Sequence, residues 1–215
     1  MSYKGRITSL IIILLGYSFW TYYVIVQYGS VWGTPGKFLF NVVPTLLELC
    51  IGWWIGLQFD KVKFLSERDM LTGVYNRRYV YSLFAKKPKR LQQGFTVFLV
   101  DVDHFKDVND IYGHRMGDKV LQSLAYILRR HVRKEDLVVR WGGDEFLIIA
   151  FGGCDPAVLI ERWDGELQSL SKELGFHVSI SVGQCSVTPN SLPELDVIVQ
   201  GADEEMYVRK KMSFL

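Results

Sequence analysis

The sequence predicts an α+β protein: a two-helix transmembrane hairpin followed by a domain built on a central, antiparallel-containing sheet with surrounding helices. Three observations predict it. Two long stretches, Ile7 to Tyr28 and Phe38 to Phe59, carry between them a single charged side chain, Glu48. Phe95 to Val102 (FTVFLVDV) is apolar almost throughout and closes on acids, the pattern of a buried strand. Leu137 to Trp141 and Phe146 to Phe151 are two β-rich runs on either side of Gly142-Gly143, which reads as a tight hairpin.

Each apolar stretch, at a rise of about 1.5 Å per residue, spans roughly 33 Å, close to the ~30 Å hydrocarbon core of a bilayer. No small-residue cleavage site follows the first, so a removable leader is not expected. Trp20, Tyr22, Tyr23, Trp32, Trp53 and Trp54 supply interfacial aromatics. Lys4 and Arg6 precede the first stretch, Lys61, Lys63 and Arg68 follow the second, and the short loop between holds only Lys37. The positive-inside rule therefore predicts two spans in the cytoplasmic (inner) membrane, with both termini and the soluble domain cytoplasmic. Asn41, Thr45, Glu48, Gly52 and Gly56 recur at spacings of three and four, so they share one helix face. That face suits either self-association or packing against the first helix. The expected division is a membrane anchor over 1–59, a short helical stalk over 60–68 and a soluble domain over 69–215.

The net charge of +2 conceals a split, because the part beyond residue 59 holds 22 basic and 22 acidic residues. A neutral domain has no broad basic face, so duplex nucleic acid is not an expected partner. Cys50, Cys154 and Cys185 are far apart and form no CxxC pair, which excludes a disulfide framework and a zinc site of the usual spacing.

Within the soluble part, Thr72-Gly73 marks a turn and Arg77 to Lys87 a helix stopped by Pro88. The apolar positions 120, 121, 124, 125, 127 and 128 make Asp118 to His131 an amphipathic helix. Pro156 to Leu174 is a further helix, His177 to Cys185 a strand, and Leu195 to Lys211 a closing helix. Two layers are expected, a sheet covered by helices on one face.

Asp101 and Asp103 stand two apart at the end of the apolar strand, so period two sets them on one side. Asp144 and Glu145 follow the two glycines of the hairpin. If strand and hairpin are neighbours, three or four carboxylates converge with no His or Cys among them. Hard oxygen donors of this kind suit Mg²⁺, with Mn²⁺ as the alternative. Divalent cations beside a triphosphate are the arrangement for in-line displacement at phosphorus.

Arg140-Trp-Gly-Gly-Asp-Glu-Phe146 is similar to the signature of the diguanylate cyclase (GGDEF) family. Three further segments resemble that family in order: Asp69 to Arg78 (DMLTGVYNRR), Asp101 to Asp118 (DVDHFKDVNDIYGHRMGD), and Ala202-Asp203 through Tyr207 to Lys210. The resemblance covers about 69–212. It implies a cyclase, palm-like fold and a Mg²⁺-dependent homodimer that condenses two GTP into cyclic di-GMP. It implies a role for each matching position. Asp101 and the Val102 carbonyl hold metal. Asp144 shares the metal and helps deprotonate the attacking 3′-hydroxyl, and Glu145 binds the second metal or positions the first. Asn109 and Asp118 read guanine, whose adjacent N–H donors suit a carboxylate, and His114 lies beside that pocket. Gly142 and Gly143 admit the substrate closely, while Lys106 and Lys210 neutralise phosphate charge. Arg140 is expected to be a structural, inter-strand residue and Phe105 a core residue.

Arg133-Lys-Glu-Asp136, with five residues between Asp136 and Gly142, resembles the family's product-inhibition site, in which cyclic di-GMP is gripped by arginine. The resemblance weakens at the end. Phe214 stands where a phosphate-binding Arg is expected, Glu205 and Arg209 replace small residues, and the final strand-forming residues are missing. These departures leave a second reading, a catalytically inactive, membrane-bound cyclic di-GMP receptor or signalling adaptor.

Overall fold

The computed structural model describes residues 4–28, 35–189 and 191–213. The expectations placed on Trp32 and Phe214 lie outside these residues, as do the side chains of Lys4, Arg6, Lys37 and Asn41. The chain divides into two compact units, Met1–Ser66 and Glu67–Leu215.

The first unit is two helices, α1 (Lys4–Tyr28) and α2 (Pro35–Glu67). They run antiparallel in contact. The Gly5 N–H donates to Asp60 Oδ1 at 2.8 Å, and a Cβ on Gly52 would strike the Ile13 side chain. Gly52 and Gly56, both buried, thus face α1 of the same chain. The glycine half of the stripe is spent on packing within the chain, as small residues allow. The hydroxyls of Ser9, Ser18 and Thr21 donate to the carbonyls of Gly5, Leu14 and Tyr17, so α1 needs no water for them.

Among the described residues one helix is long and apolar enough to cross a membrane, Ile7–Val26, with a mean hydropathy of 1.8 and none of it buried. The two-span hairpin expected from the sequence is therefore supported in its first helix only. The second expected span, Phe38 to Phe59, lies partly among residues whose side chains fall outside the described set.

The second unit is a five-stranded sheet in the order β1-β3-β4-β2-β5. The strands are β1 (Tyr75–Asn76), β2 (Phe95–Val102), β3 (Leu137–Arg140), β4 (Glu145–Phe151) and β5 (Ile180–Val187). β1 pairs with β3 in parallel, and the other pairs are antiparallel. The helices are α3 (Arg77–Lys86), α4 (Phe105–Tyr112), α5 (His114–His131), α6 (Pro156–Leu174) and α7 (Leu195–Ser213).

Helices cover both faces of the sheet, not one. Phe98, Val100 and Val102 of β2 join Val108 of α4, Leu121 and Leu124 of α5, and Trp163 and Leu167 of α6 in one core. Val97 and Leu99 join Val80 and Leu83 of α3 and Ile198 and Met206 of α7 in the other. The reason is legible in β2 itself, because a strand apolar on both of its sides has no side to give to water.

Several boundaries move for identifiable reasons. α5 begins a turn earlier than its apolar pattern, after Gly113 at φ 82°, and α4, unforeseen, precedes it. β5 starts at Ile180 and not His177, because the Ser171 hydroxyl binds both the amide and the carbonyl of Val178 and holds that residue to α6. α3 stops one residue before Lys87, which takes the left-handed conformation at φ 43°. On α7, Glu205 accepts the Gln184 N–H of edge strand β5 and the Arg209 guanidinium, which gives that departure a structural role.

Candidate active site at the hairpin turn

The central strand β2 ends between two partners. Asp101 stands directly opposite Glu145 of β4 and Ser181 of β5. Past the ladder, the Val102 N–H donates to the Asp144 carbonyl at 3.3 Å. The hairpin and the strand are thus neighbours, and the carboxylates of Asp101, Asp144 and Glu145 gather at one end of the sheet. Asp103 does not join them. Its two oxygens accept the hydroxyls of Ser179 and Ser181 at 2.8 and 2.6 Å, because the chain has already turned out of the strand.

The turn itself differs from the expected tight hairpin. Arg140 and Phe146 are the last directly opposed pair, and neither Gly142 nor Gly143 adopts a left-handed conformation. The glycines serve space instead. A Cβ on Gly142 would run into the Glu145 carboxylate, which lies over it. The Gly143 carbonyl accepts two N–H groups of Arg140, at 3.1 and 2.7 Å. The same guanidinium donates to both oxygens of Asp69, at 3.2 and 3.3 Å. Arg140 is structural as expected, but it fastens the turn to the Asp69–Thr72 loop rather than one strand to the next. Burial alone would raise the Asp69 carboxyl, but the Thr72 hydroxyl and amide and the Arg140 charge outweigh it and hold the group below its ordinary value.

Glu145 is shifted the other way. Burial, then the charges of Asp101, Asp144 and Asp203, push its carboxyl above the ordinary range, against the pull of Arg77. Asp203 on α7 and Arg77 on α3 are therefore electrostatic members of the site to which sequence reasoning gave no role, although both lie in the quoted motifs. One cation already sits there: Lys210 Nζ donates to Asp101 Oδ1 at 2.6 Å.

Among the described residues no three His, Cys, Asp or Glu side chains close on one point as a preformed metal cage. The donor set still fits Mg²⁺. That ion keeps several waters and takes one or two carboxylates plus substrate phosphates, and here crowded acids already accept an ammonium.

The other expected residues divide into two groups. Asn109, in the last turn of α4, and Asp118, in the first turns of α5, flank the Gly113 break. A Cβ on Gly117 would meet the Asn109 side chain, so the two helices approach closely there. Asp118, His114 and Lys106 are exposed, and Phe105 packs against the core as expected. Arg133 and Asp136 lie at the far end of β3. Asp136 is buried, and its carboxylate accepts the amides of Arg133 and Phe151 at 2.8 and 2.9 Å. Arg133 is exposed beside a cavity of about 350 Å³ lined also by Arg130, His131, Cys154 and Arg162.

Residues 66–214 match the family described as "Diguanylate cyclase, GGDEF domain". The chain belongs to the GGDEF family. It is 31% identical to diguanylate cyclase DosC of Escherichia coli over 150 residues, 66% of this chain and 33% of that protein. It is 31% identical to diguanylate cyclase DgcS of Shewanella oneidensis over 175 residues, 79% of this chain and 57% of that one. It thus spans less than two thirds of the length of either relative. A solved microbial GGDEF domain, described in an interaction with cyclic di-GMP, superimposes with a TM-score of 0.59 at 29% identity, over 71% of this chain and 94% of that one. In GGDEF terms, the hairpin turn carrying the family's eponymous residues is where Asp101, Asp144 and Glu145 gather.

Proposed function

We propose that the chain is a membrane-attached diguanylate cyclase, a Mg²⁺-dependent homodimer that joins two GTP into cyclic di-GMP with release of two pyrophosphates. The observation that carries this reading is the register of Asp101 against Glu145 in a GGDEF chain, with Asp144 beside them and Glu145 pushed toward its protonated form by burial and by its neighbours. Carboxylates are crowded in this way where a cation is to be accepted.

Asp101, the Val102 carbonyl, Asp144 and Glu145 would hold Mg²⁺, or Mn²⁺ in its place. When bound, the ion neutralises charge on the reacting phosphates and lowers the pKa of a hydroxyl beside it. Asp144 takes the proton of the 3′-hydroxyl. Asn109 and Asp118 accept the guanine N–H donors, and adenine would leave Asp118 unpaired. His114 borders that pocket. Lys106 and Lys210 carry the triphosphate charge, and Gly142 and Gly143 leave room for it. Each 3′-hydroxyl attacks the α-phosphate of the other GTP, so two protomers must meet about a two-fold axis.

α1 would attach the protein to the cytoplasmic membrane with the GGDEF domain on the side that holds GTP. The chain is read as an anchor over 1–59, a stalk over 60–68 and the cyclase over 69–215. Product inhibition is assigned to the cavity beside Arg133, where Arg130 and Arg162 add cations, while Asp136 shapes that corner through its backbone bonds.

The test is product formation. Full-length protein in detergent, given GTP and Mg²⁺, should yield cyclic di-GMP by mass, and Asp144→Ala should lower the rate by about 10³-fold or more. Absence of product in both, with cyclic di-GMP still bound, would establish the receptor reading. That second reading draws support from the arginine-lined cavity, which needs none of the carboxylates.

A further inference from the structure

Lys210 reaches Asp101 from the last turn of α7, and the pair is partly shielded, with the side chains 32% and 20% exposed. The separation of 2.6 Å is at the short end for a charge-assisted hydrogen bond. Helix α7 cannot slide to loosen it. At Gly183 of β5 there is no space for even a Cβ against the backbone of Ala202 and Met206, and Glu205 fastens α7 to the Gln184 amide. The lysine side chain, on its flexible four-carbon stem, is the part of the pair that can change position without moving the helix.

We propose that Lys210 is a resident counter-cation: its ammonium holds the Asp101 carboxylate until a divalent cation takes that carboxylate, and is then displaced toward the substrate's triphosphate. This rests on the reading of Asp101 as a metal ligand. The argument is one of charge. Asp101, Asp144, Glu145 and Asp203 place four carboxylates together, with Lys210 and Arg77 as the cations near them. Without a cation on Asp101, that end of the sheet would be strongly self-repelling. A dication on Asp101 makes the adjacent ammonium a like-charged neighbour, and the phosphates of GTP are the anions to which it can turn. Metal alone must break the Lys210 bond, whereas metal arriving with a triphosphate gives Lys210 a new partner. The two ligands therefore assist each other, and the coupling is reciprocal.

The experiment measures Mn²⁺ binding directly, from the fall of the free-ion electron paramagnetic resonance signal, on the full chain in nanodiscs without nucleotide. Lys210→Met should bind Mn²⁺ about fivefold more tightly than the unmodified protein. Lys210→Arg, which keeps a cation able to reach Asp101, should stay near the unmodified value and guards against a trivial folding defect in the Met variant. A non-hydrolysable GTP analogue should raise Mn²⁺ affinity less in Lys210→Met than in the unmodified protein. Equal Mn²⁺ affinity in the Met variant and the unmodified protein overturns the exchange while leaving Asp101 as a ligand. Undiminished Mn²⁺ binding in Asp101→Asn would instead overturn the metal reading itself, and the exchange with it.

Discussion

The two ends of the β3–β4 hairpin carry the same chemical group to opposite fates. At the open end, Asp136 is buried and its carboxylate accepts two backbone amides, Arg133 N and Phe151 N. At the turn end, Glu145 lies against Gly142 among three other carboxylates, its carboxyl pushed up by burial and by their charges. The first acid is satisfied by the fold. The second is made uncomfortable by it, and discomfort of that kind is relieved by something the chain itself does not supply. A carboxylate is therefore a poor guide to function until its partners are counted.

The largest effect expected from this contrast is on stability at the open end. Asp136→Ala removes the acceptor of two amides, one of them buried, and should cost about 3 kcal/mol. Urea denaturation of the full chain in mild detergent, with urea extrapolated to zero, measures it. A loss below about 0.5 kcal/mol would mean that Asp136 is held for a ligand and not for the fold, and the contrast would collapse.

Next comes Arg140, the fastener between the turn and Asp69. Arg140→Lys keeps the charge but cannot serve Gly143 and both oxygens of Asp69 at once, so about 1–2 kcal/mol should be lost. Its pH dependence is specific. The folded value of Asp69 is depressed, so its contribution is present above the unfolded carboxylate pKa and is lost as pH falls through the folded one. Arg140→Lys should therefore cost more near neutrality than in strong acid, where only the Gly143 bonds remain at stake, and equal losses at both would refute the assigned partnership.

Much of this was legible in the residues. The position of β2, the hairpin and the helix Pro156–Leu174 followed from apolar runs, a glycine pair and Pro at a helix start, and the acids at the turn from their place in the pattern. What was not legible is three-dimensional. That Asp103 turns to Ser179 and Ser181, and that Asp136 is consumed by amides fifteen residues or fewer away, depends on where the chain bends after each strand. Helix α4 was missed because its eight residues, ended by Gly113, are too few for its apolar positions to stand out. Asp203 and Arg77 join the site only because α7 and α3 cover the same face of the sheet, which had been expected to be bare on one side.

The smallest and most diagnostic effect belongs to Glu145→Gln. A carboxyl whose folded pKa lies above its unfolded value is more protonated in the native state, so stability is greater at low pH and declines as pH rises through the folded pKa. Glutamine removes the charge and with it that decline. The variant should be more stable than the unmodified protein at pH 8, by less than about 1 kcal/mol because the site is partly solvated, and the difference should vanish below about pH 4. Saturating Mg²⁺ should abolish it as well, since a bound dication supplies to Glu145 what the substitution supplies by removing its charge. Lower stability in Glu145→Gln at pH 8 would show that the turn acids are held by the fold as Asp136 is. The two ends of the hairpin would then be alike, and the crowding at Asp101 would lose its claim to mark a cation site.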